Sequence, residues 1–261
     1  LIGATSGRTT LNGEGLQHQD GHSHLFSATI PNCLSYDPAY AYELAVIFQH
    51  GIQKMFVDLE NYYYYITVTN ENYAQPPKPK DSDEGIIKGM YRLIENKAHQ
   101  VILLGSGSIL NESVKAVEIL SSIGIAAEVW SVTSFNMLRK DGIDKQRFNE
   151  LNPEAISKVS YVEECLSDDS VPVIASTDYM RAYPEQIRGY IKAPFYTLGT
   201  DGYGRSDSRE KLREFFEIDA NNIARLASYA LFKKGSITKA EINKIYKKLN
   251  VDPSKPNPWE V

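Results

Sequence analysis

Apolar positions along this chain alternate between a helical and a strand-like period. Ala41, Leu44, Ala45, Phe48 and Ile52 recur every three or four residues and predict a helix. Asp37 and Pro38 read as its N-cap and first helical residue. Ahead of it, residues 29–36 read as a strand, and residues 1–28, rich in Gly, Thr and His, as mostly loop. Residues 62–69 are aromatic and β-branched on both faces, which predicts a strand buried on both sides of a parallel sheet. Prolines and charges at 70–83 predict an extended linker and the clearest boundary in the chain. Beyond it, strands at 101–104, 126–132, 171–176 and 195–198 alternate with helices. The helices are expected at 108–121, at 134–167 with breaks at Gly142 and Pro153, and at 179–190. The tail reads as helical, with capping boxes at Asp207/Glu210 and Thr238/Glu241. Its apolar stripes are Ile223, Leu226, Ala227, Ala230 and Leu231, then Ile242, Ile245, Tyr246 and Leu249. This alternation predicts an α/β fold with a doubly wound, mainly parallel sheet.

Composition narrows the partners. At 42% hydrophobic and 23% charged residues over 261 positions, the chain reads as a folded, soluble protein. A net charge of −5 offers nothing to a polyanion, so neither nucleic acid nor an anionic membrane is expected as a partner. No apolar run approaches the roughly 20 residues of a membrane helix, and no secretory signal is visible. Cys33 and Cys165 read as buried thiols of a reducing compartment, so a cytoplasmic location is expected. The chain starts at Leu1 in what reads like the middle of a structure, which suggests a fragment or a processed chain.

The chemistry concentrates in Glu14–His24, where His18, His22 and His24 lie among glycines and acids. Three readings stand. The stretch is a polar surface loop, or a zinc site of His18, Asp20, His22 and His24, or it presents an acid/base histidine to a ligand. The zinc reading lacks a recognised spacing. Gly105–Gly107 follows a strand and opens a helix, as a phosphate cradle would, yet lacks a third glycine and reads better as a tight turn. Gly199–Glu210 carries Asp201, Arg205, Asp207 and Arg209. It can take an anion at a helix start, or Asp207 caps the helix while the arginines pair with Asp201 and Glu210. Tyr62–Tyr65, like Tyr36, Tyr40 and Tyr42, reads as core packing rather than an aromatic binding surface.

Several segments, taken in order, resemble the homodimeric type of pyruvate dehydrogenase (acetyl-transferring). They are Thr9–His18 with the following Asp20–Ser23, Ile30–Cys33, Tyr36–Glu43, Leu104–Ile109, Trp130–Phe135, Ala175–Met180 and Leu198–Glu210. The early segment also resembles transketolases in placing an acidic residue and a histidine before Ile-Pro-Asn. The resemblance implies thiamine diphosphate and Mg²⁺ as cofactors, bound mainly by parts absent from this chain. It implies pyruvate as substrate, a lipoylated acyltransferase component as acceptor within a multienzyme complex, and a homodimer partner. It makes residues 1–78 the C-terminal portion of the pyrimidine-binding middle domain, and residues 79–261 the transketolase-like C-terminal domain. His18 matches the family histidine that contacts substrate or intermediate, and Glu14 lies where transketolases place an acidic substrate contact. Two rival expectations remain: a zinc-dependent hydrolase built on the histidine loop, and a non-catalytic dimerisation module.

Overall fold

The structure is a computed structural model that describes residues 1–5, 7–11 and 16–261, Leu16 for its backbone alone. Among these residues the strands form two sheets. In the first, β1 (Ile2–Thr5) and β2 (Cys33–Tyr36) flank the central β3 (Tyr63–Val68), all parallel. A short helix, α1 (Ser23–Ser27), precedes β2. Helix α2 (Ala41–Ile52), followed by a π-helical turn at Gln53–Val57, makes the crossover from β2 to β3 that a parallel pair requires.

Helix α3 (Asp83–Lys88) leads into the second sheet through β4 (Met90–Ile94). There follow β5 (Val101–Gly105), α4 (Leu110–Ser121), β6 (Ala127–Val132), α5 (Phe135–Leu151), α6 (Tyr161–Cys165), β7 (Val173–Ser176), α7 (Ala182–Glu185) and β8 (Phe195–Leu198). The tail is α8 (Arg209–Phe215), α9 (Ala220–Lys234) and α10 (Lys239–Lys248). The strand order is β4-β6-β5-β7-β8, with β4 antiparallel and the rest parallel. The expected α/β class with a mainly parallel sheet is therefore what the chain adopts.

Strand β5 shows why. Val101 and Leu103 pack into one core with Ile109, Ala116 and Leu120 of the α4 side and Ile223, Ala227 and Leu231 of α9. Ile102 and Leu104 point the other way, into a core with Phe135, Leu138 and Tyr183. A strand covered on both faces must be apolar at every position. A third core joins the sheets: Leu34, Tyr36, Tyr64 and Ile66 pack with Ile47, Ile86 and Tyr91. Through that core runs the buried carboxylate of Glu43. It accepts from the Ala39 N–H (2.6 Å), the Tyr40 N–H (3.0 Å), the Tyr91 hydroxyl (2.6 Å) and the Ser131 hydroxyl (2.6 Å). Burial pushes its pKa up, against those hydrogen bonds.

Several local expectations need correction. Residues 29–32 are turn, since Pro31 has no N–H and the Cys33 N–H turns back to Ile30. Asp37 does not cap α2. Its side chain faces Thr67, and Glu43 reaches back to the amides ahead of the helix instead. Helix α5 runs through Gly142 unbroken, because the missing side chain leaves room for the Tyr190 ring. Of the helix expected at 179–190, only α7 and a 3₁₀ turn at Arg188–Tyr190 form. Ser208, not Asp207, caps α8. Cys33 is buried but Cys165 only half-buried; both are free. Residues 70–80 carry no regular element, yet they are tied down through Tyr73 to the Ala39 carbonyl and Glu71 to Arg213.

The Thr238/Glu241 box forms as expected, with the Glu241 N–H on the Thr238 hydroxyl and the Thr238 N–H on the Glu241 carboxylate. Thr238→Ala should therefore cost about 1 kcal/mol, read as a lower urea midpoint at unchanged slope. A change too small to measure would show that α10 holds without its cap.

Candidate functional site

In both sheets the parallel strands deliver their carboxyl ends to one region, where the chemistry of such folds collects. Asp37 follows β2 and Asp178 follows β7, and both are buried. The Asp37 carboxylate accepts from the Thr67 hydroxyl at 2.7 Å. Its backbone carbonyl accepts from the Gly107 N–H at 3.1 Å, and its second carboxylate oxygen has no partner among the described residues. Desolvation lifts its pKa to about 7, against the Thr67 hydrogen bond and helped by the charge of Asp178. Gly107 adopts φ +50°, and a Cβ there would overlap the Asp37 carboxylate. Its N–H being spent on Asp37, the Gly105–Gly107 segment is a turn and not a phosphate cradle.

The Asp178 carboxylate accepts from two threonines, and the Thr9 N–H reaches both of its oxygens (3.0 and 3.2 Å). One oxygen also accepts from the Thr9 hydroxyl (2.7 Å), the other from the Thr10 N–H (3.2 Å) and hydroxyl (2.8 Å). Arg213, itself buried against Glu71 and Glu112, donates to the Thr9 hydroxyl at 3.3 Å. Burial pushes the pKa of Asp178 up, and Arg213 with the threonine donors opposes that. Gly7, at φ +73°, lies so close over this carboxylate that any Cβ would overlap it.

The histidines part company. His18 ends a 3₁₀ turn at Leu16–His18, and it is exposed, with no hydrogen bond or ion pair to another described residue. Asp20 accepts from the His22 and Ser23 N–H groups at 2.9 and 3.0 Å and so shapes the start of α1. His22 is exposed, and its Nε2 accepts from the Arg8 guanidinium at 3.2 Å, since arginine can only donate. His24 is fully buried. Its Nε2 is 3.0 Å from the Thr67 hydroxyl, its ring stacks on Tyr183 at 4.9 Å, and Tyr179 meets it edge-on at 4.7 Å. Burial drives its pKa down to about 3, so it is neutral near pH 7. The supposed zinc ligands thus do not converge, and among the described residues no group of three or more His, Cys, Asp or Glu could hold a metal ion. Glu14 lies outside the described residues.

The Gly199–Glu210 segment, a second glycine-rich loop after the glycine-rich stretch that bears the histidines, meets that stretch at Gln19, and its arginines do not pair as expected. Asp201 takes Arg181 at 2.8 Å. Arg209 donates to the Thr10 carbonyl at 2.8 Å, and Arg205 lies over the Phe215 ring. The Arg205 N–H reaches the Gln19 side chain at 2.7 Å. A groove of about 1370 Å³ beside α8 is lined by charges that largely neutralise one another, such as Arg213 with Glu71 and Lys115 with Glu112. Sequence reasoning singled out His18 but missed the roles of Asp37, Asp178 and Arg8. Asp178 did stand in a quoted motif, yet nothing in spacing shows that a carboxylate will face residues about 170 positions away.

The family model described as the pyruvate dehydrogenase E1 component middle domain matches residues 1–76. The one described as the transketolase-like C-terminal domain matches residues 89–219. The chain is 56% identical to the pyruvate dehydrogenase E1 component of Pseudomonas aeruginosa, covering 100% of this chain and 30% of that protein. It is 52% identical to that of Escherichia coli K12, covering 99% and 29%. The chain thus spans about 30% of the length of these curated relatives. A transketolase from Pichia stipitis, solved in complex with sedoheptulose-7-phosphate, superposes with a TM-score of 0.65 at 21% identity, over 89% of this chain and 30% of that one. No helix among the described residues is long and apolar enough to cross a membrane.

Proposed function

The chain belongs to the pyruvate dehydrogenase E1 component family, and from that premise we propose that it forms the C-terminal part of an enzyme that decarboxylates pyruvate with thiamine diphosphate. In this reading the enzyme acetylates the lipoyl group of an acyltransferase component, in a cytoplasmic complex and as a homodimer. Residues 1–78 end the pyrimidine-binding domain, and residues 79–261 are the C-terminal domain. An exposed apolar face at Phe48, Ile52, Phe56 and Val57 supports packing against further protein surface.

The observation that carries the reading is His18, an exposed imidazole at the meeting of the two glycine-rich loops. The described residues do not fit the Mg²⁺ end of the cofactor, for they assemble no carboxylate cluster. Thiamine diphosphate, when bound, supplies the electron sink of the decarboxylation. What this chain supplies is a donor: His18 gives a hydrogen bond or proton to the keto oxygen of pyruvate as that oxygen gains charge. Glu14 is assigned a contact to the same substrate.

The test compares two polypeptides given pyruvate, thiamine diphosphate, Mg²⁺ and a lipoylated domain. One is residues 1–261 alone, and the other extends to the length of the curated relatives. Only the longer one should release CO₂ and reductively acetylate the lipoyl group. Decarboxylation by residues 1–261 alone, or none by the long form, would overturn the assignment.

A further inference from the structure

Both described segments that flank His18 are fastened to the loops of the second sheet. On the near side, Thr9 and Thr10 are gripped by Asp178, beyond β7. The Arg8 N–H donates to the Asp178 carbonyl at 3.2 Å, and its guanidinium to the Thr200 carbonyl beyond β8 at 2.6 Å. On the far side, Gln19 pairs with the backbone of Arg205, and the Gly21 carbonyl accepts from the Met180 N–H at 3.1 Å. The first sheet supplies β1, but the second fixes where the chain goes after it.

Building on the proposed role of His18, we propose that Asp178 is a positioning residue for His18: its carboxylate gathers Thr9 and Thr10 and so fixes the frame from which the imidazole projects. The case rests on donor count. Two oxygens face four donors, the Thr9 N–H being shared between both oxygens, in a site where Asp178 is 1% exposed and both threonines 0%. A carboxylate accepts at both ends, whereas an amide of the same shape must turn its NH₂ toward one threonine's two donors. The Arg213 guanidinium beside Thr9 and the threonine donors oppose the upward push that burial gives the Asp178 pKa. Catalysis is sensitive to such a frame, since a shift of about 1 Å in a reacting group can cost about 100-fold in rate. Glu43 also joins the two sheets, through Tyr91 and Ser131, but without touching the His18 frame.

The experiment uses the complete polypeptide that carries these residues. Turnover and KM for pyruvate are measured for wild type, His18→Ala, Asp178→Asn and the double variant, with Glu43→Gln as a control. Asp178→Asn should lower kcat about 10- to 100-fold with little change in KM. The double variant should be no slower than His18→Ala within about threefold, because both changes disable one group. Glu43→Gln should lower stability yet leave kcat per folded molecule near wild type. If the two single effects multiply in the double variant, Asp178 acts elsewhere and the inference falls.

Should His18→Ala prove silent, the catalytic assignment fails instead, and amide hydrogen exchange decides the structural claim. Exchange at residues 16–21 should quicken at least about tenfold in Asp178→Asn, while α9 keeps its protection. Unchanged exchange there overturns the inference whatever the kinetics show. If Asp178→Asn does not fold, Thr10→Val removes one hydroxyl from the clamp and should show the same pattern at about 3- to 10-fold.

Discussion

Replacing His18 with alanine in the complete enzyme should lower kcat for pyruvate decarboxylation by about 10²- to 10⁴-fold, the range of an acid/base or charge-stabilising group. The other two histidines of the loop show why the effect falls on this one. His24 is sealed between Tyr179 and Tyr183, and its pKa of about 3 keeps it from carrying a proton near neutrality. His22 gives its Nε2 lone pair to Arg8. Of the three, only the His18 imidazole is both exposed and without a bond to another described residue, so it can turn both nitrogens to a ligand. His22→Ala is accordingly the control and should cost far less. A loss below about threefold for His18→Ala, against the range a catalytic acid would give, would return it to an ordinary surface histidine.

The sequence made this residue visible through its neighbours, and left its supports invisible. Strands such as Val101–Gly105 could be read directly, because burial on both faces forces an unbroken apolar run. The stripes of α9 and α10 were equally plain, since one face of each meets the core. Strand β4 escaped notice because it is an antiparallel edge with Arg92 exposed, and so lacks that apolar run. Caps were legible where the box is purely local, as at Thr238/Glu241. They were misplaced where tertiary contact took the side chain, as when Asp37 turned to Thr67. The arginines of the second glycine-rich loop failed for the same reason. Local pairing with Asp201 and Glu210 was the natural guess, but Arg209 found the Thr10 carbonyl and Asp201 found Arg181. What spacing conveys is periodicity within an element. What builds the His18 frame is contact between strand ends far apart in the chain.

Acid stability provides the sharpest test of that buried region, because two groups there work against each other. Asp37 and His24 both bond to the Thr67 hydroxyl. The Asp37 pKa rises from 3.8 to about 7 on folding, so over that range the native chain holds a proton that the unfolded chain has released. Its contribution is fully present below about pH 4 and is lost as pH rises through about 7. The His24 pKa falls from 6.5 to about 3, so there the unfolded chain binds a proton that the native chain refuses. Its contribution is present above about pH 6.5 and is lost as pH falls toward 3. Where the two ranges overlap, each slope is about 1.4 kcal/mol per pH unit and the signs are opposite, so they cancel. Asp37→Asn keeps the shape of the side chain and an acceptor for Thr67, but removes one slope. Relative to wild type, this variant should lose about 3 kcal/mol as pH falls from about 6.5 to 4. His24→Gln should do the reverse, losing ground to wild type as pH rises over the same range. Glu43 and Asp178 are also pushed up by burial, but they are common to all three proteins and largely cancel in the differences. Urea midpoints in steps across this range give the comparison, and parallel curves for wild type and Asp37→Asn would show that Asp37 is already ionised in the fold.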